Sequence, residues 1–214
     1  GLDAWYFQQK AHWSADFSEQ IGSLPPIDAP EGDTSMLTAF RIDRMMGRLK
    51  ERKATGHDDT PVEVFEAIPE ARRELHELVR DIWKLRHIPQ DFALVVFVML
   101  YKGKAKGPAD SHDAYRPVGL LLHALKIVTG LLLEDVRDET EFYQSPSQDG
   151  GRRNRGCRGG LLRFQLFTER VLGLGMRGTT VLLDYSGAFD TSLHKSLDSS
   201  LEKAGASPGS RLLF

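Results

Sequence analysis

Ten consecutive residues without a charge, Phe92 to Tyr101 (FALVVFVMLY), constrain the fold more than any other stretch of this chain. Their β-branched and aromatic content predicts a strand. Because apolarity is continuous rather than alternating, both faces of that strand are expected to be buried. The run is about half of what a bilayer-spanning helix needs, so no membrane partner is expected. A Gly/Pro loop, GKAKGPADSHD, follows, and AYRPVGL (114–120) is expected to return as the second strand of a hairpin.

Around the hairpin the periodicity changes to that of helices. A helix is expected over 36–52, with Met36, Phe40, Met45 and Leu49 on one face. Thr60-Pro61-Val62-Glu63 predicts a helix start, with a hydroxyl cap, proline at the first position and an acid three residues after the cap. That helix is expected to run to Leu85, with a break at Pro69, and to stop before Pro89. Leu121, Leu125, Val128, Leu132 and Val136 predict a helix over 121–137, and Leu161, Phe164, Phe167 and Val171 another after the loop 144–160. Leu193, Leu197 and Leu201 recur every four residues, and Gly205 is placed to cap that helix. The expected class is α+β, with helices outnumbering strands.

Net charge is −2, so affinity for nucleic acid is not written into the whole surface. It is written into one segment: residues 152–163 hold five arginines and no acid, a local patch able to meet phosphates. Residues 1–35, polar and interrupted by Pro25, Pro26 and Pro30, read as an N-terminal extension. One cysteine, Cys157, excludes an internal disulfide framework and any multi-cysteine metal site, and fits an intracellular, reducing setting. The first residue is Gly rather than Met, so a fragment is expected.

TTVLLDYSGAFDTS (179–192) raises a chemical question. Residues 179–184 have the pattern of a short strand, and that strand ends in Asp184. A carboxylate there either caps the following turn or projects from a rigid element as a metal ligand, its hard oxygens suited to Mg²⁺.

The wider context resembles a known family. VLLDYSGAFDTSLHKSLDSSLEKAG is similar to the first catalytic motif of reverse transcriptases of the non-LTR retrotransposon type, which are related to group II intron enzymes. KATGHDDTPVEVF resembles the family's upstream Lys, Gly, Asp and later Glu. The stretch from Asp81 to Val128 resembles its fingers segment through Trp83, Ile88-Pro89, Asp91, Lys102 and Tyr115-Arg116-Pro117. The resemblance covers roughly residues 50–205 in order.

It implies a partial right-hand polymerase fold, with fingers over 36–175 and the start of a palm over 176–214, including one palm strand. It implies RNA template and DNA primer as partners, deoxynucleoside triphosphates as substrates and Mg²⁺ as cofactor. Asp184 would be catalytic and hold metal in a two-metal nucleotidyl transfer. Lys102 and Arg116 would grip the triphosphate, Arg as a planar fork and Lys as a point charge. Phe189 would be the ring beneath the sugar that excludes a 2′-hydroxyl, and Asp190 reads rather as a helix cap. Gln148, or Gln144, would lead the template segment, with Arg152, Arg153, Arg155 and Arg158 on template phosphates.

The chain departs from the family pattern at Gly150-Gly151, where Gly-Phe is usual, and at Gly187, where Lys is common. After Asp190 it contains one further acid before Glu202, Asp198, and no Asp-Asp pair, whereas the family draws its remaining carboxylates from such a pair. The 214 residues are therefore expected not to polymerise by themselves. The alternative is a non-catalytic retroelement remnant that binds nucleic acid or a protein. A dehalogenase-like phosphatase would need a second Asp two residues after Asp184; Ser186 stands there, which sets that reading aside.

Overall fold

The structure is a computed structural model that describes residues 34–103, 107–111, 114–184 and 193–211. Its described residues fall into two compact units, the first running to Asp135 and the second beginning at Val136. The class is α+β and helix-rich, with one two-stranded antiparallel hairpin among the described residues. The expected N-terminal extension lies almost wholly outside the described residues.

The first unit is a helical layer built from α1 (Ala39–Met46), α2 (Val62–Ala67), α3 (Pro69–Leu85) and most of α4 (His123–Thr140), together with the hairpin. Helix α1 is shorter than expected. Thr38 caps it by accepting a bond from the Arg41 amide, and Gly47 closes it. Its buried face is Ile42, Met45 and Met46, while Met36 and Phe40 are exposed, so the expected stripe is displaced around the helix. The start expected at Thr60 is shifted by one residue. Pro61 occupies the cap position, and the Thr60 hydroxyl donates to the Asp58 carbonyl instead. Ile68 breaks the helix and Pro69 opens the next, because a proline lacks only an amide that the first turn leaves unpaired.

Helix α3 buries Ala71, Leu75, Val79 and Ile82, and it ends at Arg86 in the left-handed region, φ 52°. Helix α4 buries Leu125, Val128, Leu132 and Val136 of the expected face, whereas Leu121 precedes the helix and is half-buried. Its first residue, His123, is fully buried, and its Nδ1–H donates to the Thr60 carbonyl at 2.9 Å. That bond ties the start of α4 to the start of α2. Burying each large aliphatic side chain contributes roughly 1.5–3 kcal/mol, so these stripes hold the first unit together.

Three arginines of α1 and the turn after it, Arg41, Arg44 and Arg48, recur at three- and four-residue spacing and meet one acid on α4. Glu134 accepts from Arg44 at 2.7 Å and from Arg48 at 2.6 Å, with the Arg41 Nε at 3.8 Å. Arg41 also pairs with Asp135. Burial opposes the Glu134 charge, but the bond from Arg48 and the charges of all three arginines outweigh it. The carboxyl is held below the usual carboxylate range.

The hairpin pairs β1 (Val96–Tyr101) with β2 (Tyr115–Leu120) in the register Val96↔Leu120 to Tyr101↔Tyr115. The strand itself matches expectation; its burial does not. Every residue of β1 is exposed, from Tyr101 at 40% to Phe97 at 64%. A two-stranded sheet has no layer of its own to cover it, and among the described residues no third strand pairs with it.

In the second unit, α5 (Cys157–Gly173) forms where its stripe predicts, yet Leu161, Phe164 and Phe167 are exposed. Helix α6 (His194–Lys203) follows Leu193 and is closed by Gly205 at φ 86°, a conformation that suits glycine. Arg211 of α7 (Pro208–Arg211) clamps Asp198 and Glu202 on α6 at 2.8 and 3.0 Å. The strand expected over 179–184 is not formed. These residues are irregular, and Val181, Leu182 and Leu183 are 72%, 90% and 78% exposed. An extended apolar segment needs a neighbouring strand to satisfy its backbone groups, and among the described residues this one has none.

Candidate nucleotide and nucleic-acid interface

Strand alternation sets the geometry of the hairpin. Arg116 pairs with Leu100, and Lys102 lies two residues beyond Leu100, its amide donating to the Ala114 carbonyl at 2.7 Å. Directly opposed residues and those two positions along share a face. Lys102 and Arg116 therefore leave the same face as diagonal neighbours, about 7–8 Å apart by ladder spacing. Both are exposed, and Arg116 forms an ion pair with no carboxylate among the described residues. The other face carries the Tyr101–Tyr115 pair, with ring centroids 5.5 Å apart. Their hydroxyls donate to the carbonyls of Gly107 and Ala109 at 2.8 and 2.9 Å, fastening the loop back onto the strands.

The arginine-rich segment belongs to the second unit, and its side chains divide into two groups. Arg152 donates to the Ser145 carbonyl at 2.9 Å and pairs with Glu141. Arg155 donates to the Pro146 carbonyl at 2.6 Å, and Arg163 reaches the Ser147 carbonyl at 3.1 Å and the Asp149 carboxylate. These three staple residues 145–149 into place. The bond from Arg152, backed by the charges of Arg155 and Arg153, holds the Glu141 carboxyl below its usual range. The Arg152 side chain is 7% exposed, and its Nε has no hydrogen-bond partner among the described residues.

Arg153 and Arg158 are exposed and carry no ion pair among the described residues. Arg158 lines a cleft of about 460 Å³ at the start of α5, with Asn154, Arg155 and Cys157. Arg153 lines a second of about 200 Å³ with Arg137 and Arg152. Gln148 is exposed, and its side-chain amide donates to the Gly150 carbonyl at 3.2 Å. The stapling by Glu141 and Asp149 was not apparent from composition. Acids eleven and fourteen residues from their arginines give no periodic signal, and only the folded loop brings them together.

Asp184 is exposed in the irregular segment rather than at a strand tip. Among the described residues, no three His, Cys, Asp or Glu side chains gather as a metal-holding group. These residues do not fit a complete Mg²⁺ site; Asp184 offers one carboxylate. Phe189 and Asp190 lie outside the described residues. Among the described residues, no helix is long and apolar enough to cross a membrane. Searches against protein-family models and curated proteins return no match to this chain.

Proposed function

We infer that the chain carries the nucleotide- and template-gripping part of an RNA-directed DNA polymerase of the reverse transcriptase type. The observation that supports this most is the hairpin, which presents Lys102 and Arg116 side by side on one exposed face. Two cations at that spacing suit a polyphosphate, one as a point charge and one as a planar donor fork. In this reading Arg153 and Arg158 meet template phosphates, and Arg152 and Arg155 shape the loop that presents them. Asp184 contributes one carboxylate to Mg²⁺ in a chain that supplies the others. The 214 residues alone bind nucleotide and RNA without joining them.

Primer extension tests the catalytic role. In any longer product of the same gene that extends a DNA primer on RNA, Asp184→Ala abolishes extension and leaves RNA affinity intact, because an exposed side chain supports no core. Extension retained by the variant removes Asp184 from the chemistry.

The second reading, a remnant that binds nucleic acid without catalysis, is favoured by the solitary state of Asp184 among the described residues. Both readings require that RNA affinity fall steeply with salt, since each phosphate neutralised releases counterions. Arg153→Ala with Arg158→Ala is expected to lower the logarithmic salt slope by about 1.4 on single-stranded RNA, roughly 0.7 per contact. A flat response in the wild-type chain eliminates both.

A further inference from the structure

The two edges of the hairpin differ in chemistry. The Lys102 amide bonds the Ala114 carbonyl directly opposite, so 102↔114 is a hydrogen-bonded pair, and antiparallel pairs alternate in type. Val96, Val98 and Leu100 thus turn their backbone groups inward to β2. Phe97, Met99 and Tyr101 turn theirs outward. On β2 the outward positions are Tyr115, Pro117 and Gly119, opposite those three. Pro117 has no amide to offer, so the outer edge of β2 is blocked in the way natural sheets block an edge. The outer edge of β1 has three amides, no proline, no charge and exposed apolar side chains on both faces. It has the features that invite another strand.

We propose that this edge docks β1 of a second copy of the chain, antiparallel about a twofold axis through Met99. A second β1 is self-complementary in every respect that the edge requires. It brings outward amides and carbonyls at the same spacing, so that Met99 exchanges both bonds with its counterpart. Phe97 of one copy then lies opposite Tyr101 of the other, a favourable cross-strand aromatic pair. The charges bordering the run set the direction: Asp91 precedes it, and Lys102, Lys104 and Lys106 follow it. Antiparallel pairing turns the acidic end of one strand toward the basic end of the other, whereas parallel pairing would set lysines against lysines. The contact closes on itself as a dimer, because the proline-blocked edge of β2 remains on the outside of the resulting four-stranded sheet.

Sedimentation equilibrium from low to high micromolar concentration, combined with amide hydrogen exchange, tests the proposal. The expected result is a monomer–dimer equilibrium in which the Phe97, Met99 and Tyr101 amides become protected as concentration rises. Met99→Pro removes the two central bonds without touching the inner ladder. Met99→Lys keeps the backbone intact and sets two like charges at the axis. Each is expected to raise the dimer dissociation constant roughly tenfold or more. A chain that stays monomeric throughout, a dimer unaffected by Met99→Lys, or association that runs on past the dimer overturns the proposal. A monomer that instead takes up an extended peptide along β1 does so too, since the occupant is then a foreign strand.

Discussion

Replacing Glu134 with Gln is expected to destabilise the first unit by about 2–3 kcal/mol near neutral pH. Three guanidinium groups converge on this one carboxylate, whose side chain is 8% exposed. Removing its charge weighs most on Arg41, because that side chain is 16% exposed and, among the described residues, keeps Asp135 and the Leu131 carbonyl as partners. Arg44 and Arg48 are about half exposed and recover hydration, which keeps the loss below the upper range for a broken buried pair.

The effect also has a pH signature. Folding holds the Glu134 carboxyl below its ordinary range. Its contribution is therefore complete above the unfolded-state value, and it is lost as pH falls through the folded-state value. Urea unfolding of wild type and Glu134→Gln should show a gap that is constant from neutral pH down to the carboxylate range and then closes in acid. Glu63 and Glu141 are depressed as well, but both proteins retain them, so the difference isolates Glu134. A gap that persists undiminished in acid would assign the loss to packing rather than charge.

The helices that bury one stripe were legible in the sequence because a single period carries both their local geometry and their burial. The α4 face is an instance, as is the break between α2 and α3 at Pro69, where ring chemistry leaves little choice. The hairpin was legible for a related reason, since a β-rich run, a Gly/Pro loop and a second short run permit few other topologies.

Where the fold departed from the sequence reading, the missing information was a partner. Phe92–Tyr101 announces that it needs covering on both faces, but its residues do not say by what. The apolar residues of 179–184 favour an extended chain, yet extension becomes a strand only beside another strand. In α1 the stripe was misplaced because Met36 and Phe40 are as apolar as Leu37 and Ile42. Their own hydropathy does not distinguish them; Leu37 and Ile42 are buried in the folded unit, whereas Met36 and Phe40 are exposed. Within the candidate site, the residue types were readable and their allegiances were not. Five arginines between 152 and 163 look alike in sequence, but Arg152, Arg155 and Arg163 are committed to the 145–149 loop, while Arg153 and Arg158 remain exposed without an ion pair among the described residues.

The paired cations of the hairpin are the part of the functional reading that the chain can be asked about by itself. Each charge-assisted bond to phosphate is worth roughly 1.5–3 kcal/mol, so losing Lys102 and Arg116 together is expected to weaken triphosphate binding by about a hundredfold or more. Neither side chain is buried, so the double variant Lys102→Ala/Arg116→Ala should melt with the wild type. The direct measurement is a titration of a deoxynucleoside triphosphate with Mg²⁺, followed by the backbone amide resonances of both proteins. The polymerase reading predicts saturable binding that perturbs residues 100–102 and 115–118 in the wild type and disappears in the double variant. Binding that survives the double substitution, or a wild-type hairpin whose resonances do not move, contradicts it.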